Sequence, residues 1–333
     1  MDLEKLIAAY PAMTDIHITE GLPIIIRLSG TLRKLRETAD SALLDDLLSK
    51  AMTESKKENF LKNGSCDSSF SAGLHRLRVH MYYAGGVRAA ALRILPELSS
   101  LPPDSDESWL EKTASLDHGL VLLCGPSGSG KSTTLARILS LINEKRACHI
   151  VTLEDPVEYF LPSAKSLIHQ REVGIDVPSF AEGIRDSLRE DPDVITVGEM
   201  RDSETISAAL TAAETGHLVL GTLHTTKAAD SIDRIIHAFP EGKQAEARSL
   251  LAGNLKTVSA QRLYRTTKET FLLREILTMT PAISHLIREG KEEQIPSYME
   301  MGLHQMRTMK QAAYGLRNIS ERERDKLIKS LEL

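Results

Sequence analysis

The sequence predicts an α/β protein in which a parallel sheet, covered by helices on both faces, follows a small α+β domain. Three observations lead there. Four short apolar runs, GLVLLCG (119–125), HIVTLED (149–155), DVITVGE (193–199) and HLVLGTL (217–223), are each followed within a few residues by helical spacing. Continuous apolar strands alternating with helices belong to parallel sheets buried on both faces. Residues 96–108 (PELSSLPPDSDES) hold three prolines and four acidic residues, a linker composition that sets a boundary. Upstream of it, short alternating segments replace the continuous runs.

In the first domain, 1–98, DIHITEGLPIIIRLSGTLRKLR (15–36) reads as two strands joined by a turn at Gly21-Leu22-Pro23. SALLDDLLSKAMTESKKENFLK (41–62) reads as one helix, with Ser41 as N-cap and Asn63-Gly64 as stop. FSAG, HRLRVHMYY and VRAAALRIL read as strands separated by Gly73 and Gly85-Gly86. In the second domain, 99–333, the tail from about residue 243 reads as mostly helical, and ERERDKLIKSLEL (321–333) as a solvated terminal helix.

Composition narrows the function classes. A chain of 333 residues exceeds one ordinary core, so two domains are expected. Aromatics are 4% against 41% hydrophobic residues, so packing must be aliphatic. A net charge of -5 argues against a dedicated nucleic-acid binder, and no nucleic-acid partner is expected. Cys66, Cys124 and Cys148 form no CxxC pair, which predicts buried thiols rather than a disulfide framework or zinc site. The start, MDLEKLIAAYPAM, lacks the apolar run of a signal peptide, and no stretch approaches the ~20 apolar residues that span a bilayer. These features predict a cytoplasmic protein without direct membrane insertion.

GPSGSGKST fits GxxxxGK[ST] between a predicted strand and a predicted helix, the context of a P-loop. Gly125, Pro126, Ser127, Gly128, Ser129, Gly130, Lys131, Ser132 and Thr133 would cradle the phosphates of ATP through backbone N–H groups that the glycines let turn inward, Pro126 itself having none. Lys131 would reach the β- and γ-phosphates, and Ser132 would hold Mg²⁺. VTLEDPVEY (151–159) ends the next strand with Glu154, Asp155 and Glu158, candidates for a base or for metal-bound water. DPDVITVGEMRD (191–202) ends in Gly198-Glu199. Glu199 is the candidate Mg²⁺ carboxylate, since Asp193 precedes the strand and sits at its wrong end. In GHLVLGTLHTT (216–226), His217 and His224 bracket an apolar strand, and both are expected to be desolvated. Seven strand residues span about 23 Å, so one γ-phosphate cannot meet both. Ligands of such sheets bind beyond the carboxyl ends of the strands. His224 is therefore the candidate γ-phosphate sensor, and His217 a tie between domains or subunits.

GPSGSGKSTT, VTLEDPVEY, SLREDPDVITVGEMRD and AAETGHLVLGTLHTTKAADSIDRIIHAFP, in this order, resemble the secretion ATPase superfamily, in particular its PilT-type motors, which retract type IV pili. Asp15 to Leu32 (DIHIT…G…R..G.L) is also similar. The resemblance implies a PAS-like N-terminal domain and a RecA-like P-loop NTPase domain. It further implies a homohexameric ring with ATP between the two domains and near a neighbouring chain, and a pilus platform protein of the inner membrane as partner on its cytoplasmic side. By position it makes Glu158 the catalytic glutamate, Glu199 the Walker B acid, and His217 and His224 the His box. Arg78 and Arg93 match the arginines that the N-terminal strands supply to the nucleotide. Arg76 and Arg88 read as surface arginines. PAISHLIREGK (281–291) resembles the retraction-linked pattern AIRNLIRE, with Ser284 and His285 in place of Arg and Asn. Assembly-type motors carry an extra N-terminal domain and a four-cysteine module that this sequence lacks, so the retraction type is expected. The alternatives are an ATPase of a type IV secretion system and a RecA-like nucleic-acid translocase.

Overall fold

The computed structural model describes residues 2–73, 75–266, 269–317 and 319–331. The chain divides into two compact units. The first is Met1–Pro103 with Glu154–Leu161 and Gln170–Ser179, and the second is Asp104–Leu153 with Pro162–His169 and Phe180–Leu333.

The first unit runs α1 (Leu3–Ala9), β1 (Met13–Thr19), β2 (Pro23–Leu28), β3 (Thr31–Thr38), α2 (Ser41–Ala51), α3 (Glu54–Asn63), β4 (Ser65–Ala72), β5 (His75–Ala84) and β6 (Val87–Leu95). Its antiparallel sheet has the order β3-β2-β1-β6-β5-β4. Alternate residues Ile16, Ile18, Ile24, Ile26, Leu77, Val79 and Met81 form a core with Leu44 and Leu47 of α2 and Phe60 of α3. Residues 15–36 hold parts of three strands rather than two. The second turn is Ser29-Gly30, both at positive φ (48° and 83°), as a tight hairpin turn requires. Residues 41–62 form two helices rather than one. Asp40, not Ser41, caps the first by accepting from the Leu43 amide at 2.9 Å. Thr53 caps the second, and Gly64, at φ 77°, ends it. β3 lies at the sheet's edge, and seven of its eight residues are exposed.

Two later segments belong to this unit for identifiable reasons. Lys56 and Glu172 form a buried ion pair, and the other Glu172 oxygen accepts from the Val157 amide at 3.2 Å. The Val157 carbonyl accepts from Arg76 Nε at 3.2 Å and Ser69 Oγ at 3.1 Å. Arg76 is thus a half-buried clamp, not the surface arginine expected from strand alternation. Arg88 pairs with Glu20 and Asp45 within the same unit.

The second unit runs α4 (Glu107–Ala114), β7 (Gly119–Cys124), α5 (Lys131–Lys145), β8 (His149–Glu154), β9 (Leu167–Glu172), α6 (Phe180–Ser187), β10 (Val194–Val197), α7 (Ser203–Glu214), β11 (Leu218–Leu223), α8 (Ala228–His237), α9 (Glu241–Asn254), β12 (Leu255–Arg265), β13 (Thr270–Thr278), α10 (Pro281–Arg288), α11 (Ile295–Glu300), α12 (Met309–Tyr314) and α13 (Glu321–Leu331). Glu154 and Gln170–Glu172, at the ends of β8 and β9, count with the first unit. The sheet order is β13-β12-β7-β11-β10-β8-β9. β7, β10 and β11 are buried at every residue, as their continuous apolar runs require.

The sheet is mixed rather than parallel, because β13 runs antiparallel to β12. This corrects the helical reading of the tail. Thr257, Val258, Ser259, Ala260 and Gln261 of β12 alternate polar and apolar, but all five are buried, so its polar positions mark no solvent face. The terminal helix α13 is not merely solvated: Leu327 is buried with Leu273 of β13 and Ala313 of α12. In α10, Ser284 donates to the Ala252 carbonyl of α9 at 2.7 Å, while His285 is exposed. Cys66 and Cys124 are buried and Cys148 is half-buried. Burial pushes the Cys124 thiol up to about 11.

The acidic residues of the linker-like stretch are not solvated either. Asp104 and Asp106 pair with the fully buried Arg274 of β13 at 2.7 and 3.0 Å. Arg137 of α5 reaches Asp104 at 3.4 Å, and Arg307 reaches Asp106 at 2.5 Å.

Candidate active site

The loop between β7 and α5 can only be made with glycine at defined places. Gly125 has φ 144°, and a Cβ there would overlap the Gln261 carbonyl oxygen. Gly128 and Gly130 have φ 74° and 91°, the left-handed region that glycine enters without cost. Such turns aim successive backbone amides into one concavity, and here the concavity opens at the N-terminus of the 15-residue α5. Lys131 donates to the carbonyls of Gly125 (2.7 Å) and Pro126 (3.2 Å), so its ammonium lies over the loop. Ser132 is exposed at the first turn of α5, and Gln261 of β12 braces the loop by donating to the Ser129 carbonyl at 3.1 Å. The Ser129 hydroxyl is buried and has no hydrogen-bond partner among the described residues.

The carboxyl ends of three strands bring the other candidates of this unit together. The Gly125 amide donates to the carbonyl of Leu223, the residue before His224. The Met200 amide donates to the Thr222 carbonyl, and Thr222 Oγ1 donates to the Gly198 carbonyl. Gly221 permits this approach, since a Cβ there would overlap the Met200 sulfur. As a result His224 Nε2 lies 3.0 Å from Glu199 Oε1, and the same oxygen accepts from Arg201 Nε. His224 is exposed (44% of its side chain), so the expected desolvation does not hold for it.

His217 does not join this group. It precedes β11, and the seven steps of chain from it to His224 put it about 23 Å away at the amino edge. There its carbonyl accepts from the Gly119 amide, and its Nδ1–H donates to the Ala212 carbonyl at 2.9 Å. Asp193 lies at that edge too, accepting from the His149 amide at 2.8 Å.

The first unit assembles a second group. Asp15, Arg93 and Arg78 are neighbours in a row across β1, β6 and β5. Arg93 Nε donates to Asp15 at 2.9 Å, and Arg78 Nη1 lies 3.6 Å from Glu158. Burial pushes the Asp15 carboxyl up, but hydrogen bonds from Thr14 and Arg93 and the charges of Arg93 and Arg27 outweigh it. Its pKa lies below the ordinary carboxylate value. Glu158 follows β8 by four residues, in the segment fastened by Lys56, Arg76 and Glu172. Arg76 reads from sequence as a surface residue, and Lys56 and Glu172 carry no local mark of this role. Lys56 sits in a charged helical run whose pattern resembles a solvated face, and nothing local marks it as buried.

The donor set suits a magnesium nucleotide. An exposed serine hydroxyl at the helix start and a carboxylate just after β10 are oxygen donors of the kind Mg²⁺ shares with phosphates. Among the described residues no cluster of three or more His, Cys, Asp or Glu side chains is arranged as a metal cage.

Comparisons with known proteins agree with this geometry. The family "Type II/IV secretion system protein" matches residues 87–279. The type IV pilus retraction ATPase PilT of Pseudomonas aeruginosa is 40% identical over 308 residues, which cover 91% of this chain and 90% of that protein. A twitching motility protein of Neisseria gonorrhoeae is 43% identical over 298 residues, 88% of this chain and 80% of its own. A crystal structure of the pilus retraction motor PilT with bound ADP superposes with a TM-score of 0.85 at 40% identity, covering 98% of this chain and 95% of that one. Sequence, fold and the edge that gathers the P-loop, His224 and Glu199 therefore assign the chain to the type II/IV secretion system ATPases, as a member of their PilT-type branch.

Proposed function

We propose that this protein is an ATP-hydrolysing motor whose cycle drives type IV pilus retraction. The first unit acts as a PAS-like domain and the second as a RecA-like engine, in a homohexameric ring. The observation that supports this most is the shared edge where the Gly125 amide meets Leu223 while His224 meets Glu199. A phosphate chain in the α5 concavity would end beside a histidine that touches the acid of the next strand.

In this reading the loop amides and Lys131 hold the β- and γ-phosphates. Ser132 and Glu199 would hold Mg²⁺, whose charge would neutralise that of the phosphates. Glu158 takes the proton of the attacking water as the water oxygen bonds the γ-phosphorus and the bond to the β-phosphate oxygen breaks. Arg78 and Arg93 spread the transition-state charge, a role worth about 10³–10⁵ in rate in other NTPases. His224 shifts when the γ-phosphate leaves, and α8, which starts four residues later, moves with it. His217 serves packing or subunit contact. The partner that receives the motion is a platform protein of the inner membrane, reached from the cytoplasmic side.

The test is steady-state ATP hydrolysis against protein concentration, with mass by light scattering. Specific activity that rises as a six-chain species appears fits a ring with shared sites. Constant specific activity from a monomer would remove the ring mechanism. In a pilus-bearing host lacking its own retraction ATPase, the gene should restore twitching, and the Lys131→Ala variant should not.

A further inference from the structure

Two adjacent residues of β13 have no part in that scheme, yet each holds one of its helices. Neighbouring strand residues point to opposite faces. On one face Arg274, with no exposed surface, donates through Nη2 to Thr134 Oγ1 at 3.0 Å, three residues beyond Lys131 on α5. The same guanidinium is fixed by Asp104 and Asp106 and stacks on Trp109, its carbon 5.1 Å from the ring centre. On the other face the buried Glu275 accepts from the Ala228 amide at 2.7 Å, the first residue of α8 and the fourth after His224. Its second oxygen accepts from the Met309 amide at 3.0 Å, at the start of α12. The helix that cradles phosphate and the helix that follows the histidine are thus both fastened to one dipeptide.

We propose that Arg274 and Glu275 are positioning residues for nucleotide hydrolysis: Arg274 sets the P-loop helix through Thr134, and Glu275 sets the His224 segment through the α8 amide. The proposal rests on the ATPase reading above. Strand β13 is the common anchor, because neither residue can move without shifting the backbone of the other. Arg274 governs phosphate binding because its contact lies on the binding helix. Glu275 governs the rate of the cycle because its contact lies behind the histidine.

The two roles separate kinetically. Thr134→Val removes only the acceptor of Arg274 and spares the buried Asp104 and Asp106, which truncation of Arg274 itself would leave unpaired. It should raise KM for ATP about three- to tenfold with kcat within twofold of wild type. Glu275→Gln keeps the shape but turns a carboxamide NH₂, a donor, toward one of the two backbone N–H groups. It should lower kcat about fivefold or more with KM within twofold. Both variants are read only if they melt within about 5 °C of the wild type, so that loss of folded protein is excluded. Should either fail to fold, hydrogen exchange on the wild-type protein decides: ADP should change exchange at residues 306–311, around the Met309 amide, and no change there overturns the proposal. Folded variants that keep both constants, or lose both in proportion, also overturn it. A wild-type protein that neither binds nor hydrolyses ATP would instead defeat the ATPase reading, a result visible before any variant is made.

Discussion

Arg78 of β5 and Arg93 of β6 stand directly opposite each other across an antiparallel ladder. Like charges in that position destabilise a sheet, and here each is held by a carboxylate, Glu158 for Arg78 and Asp15 for Arg93. Two adjacent cations whose partners can be exchanged suit a polyphosphate. Arg93→Ala should lower ATP turnover at least tenfold while costing about 1–3 kcal/mol in urea unfolding, because Arg93 is exposed but the Asp15 it bonds is buried and keeps only Thr14 and Arg27. Undiminished turnover would leave Arg93 as a structural partner of Asp15 alone.

Glu158→Gln should keep ADP binding within a fewfold and reduce turnover by about 10²–10⁴, the usual contribution of a positioned base. Because Glu158 and Arg78 are partly exposed, the melting temperature should barely change. Fluorescent-nucleotide binding beside a phosphate-release assay separates the two effects. Hydrolysis at the wild-type rate would assign the base elsewhere.

His224→Ala removes a partner that sits 3.0 Å from Glu199 but leaves Arg201 on the same oxygen. Nucleotide affinity should hold, while turnover falls about tenfold or more. His217→Ala, at the far end of β11, should leave single-chain nucleotide affinity unchanged. Equal losses of affinity in both would contradict their separation by a whole strand.

Asp104 gives a pH dependence with a definite sign. Burial pushes its carboxyl up, but the hydrogen bond and charge of Arg274, with help from the Asp106 amide and Arg137, hold it below the ordinary value. A depressed carboxyl adds stability above its unfolded value of about 3.9 and loses it as pH falls through the lower folded value. Asp104→Asn should therefore cost about 3 kcal/mol at pH 7, the scale of a broken buried pair. The gap to wild type should begin to narrow below about pH 4 and close only below the lower folded value. Urea unfolding at pH 7 and pH 3 measures both, and a gap independent of pH would mean that Asp104 is not the linked group.

Gly221→Ala should destabilise by about 1–3 kcal/mol through overpacking on Met200 and should reduce turnover, since Met200 adjoins Glu199. Met200→Ala in the same chain should restore much of both. Failure of the second change to rescue the first would place the clash elsewhere.

The placement of the 125–133 loop, Glu199 and His224 at the carboxyl edge of the sheet was legible because local rules dictate it. A GxxxxGK[ST] run between strand and helix has one backbone solution, and an acid or histidine after an apolar strand falls at the ligand edge. β12 reads as part of a helical tail because its alternation, Thr257 to Gln261, is only five residues long, follows directly on the helix α9 and has a polar face that is buried rather than solvated. Asp104 and Asp106 looked like linker residues because acids beside prolines are usually solvated, and the cation that buries them is about 170 positions away on β13. Lys56, Arg76 and Glu172 escaped for the same reason: each is placed by a partner remote in sequence.

The exposed edge strand of the small sheet carries a consequence for how the protein behaves in bulk. Strand β3 pairs with β2 alone among the described residues, and such an edge is the template on which foreign strands add. Its sequence, TLRKLRET, interleaves Leu32 and Leu35 with Arg33, Lys34 and Arg36, so an incoming copy of the same strand meets its own charge. These cations act as gatekeepers against fibre growth. Replacing all three with neutral residues should leave the fold intact and turn a soluble preparation into one that aggregates with concentration and is rescued by low temperature less than by dilution.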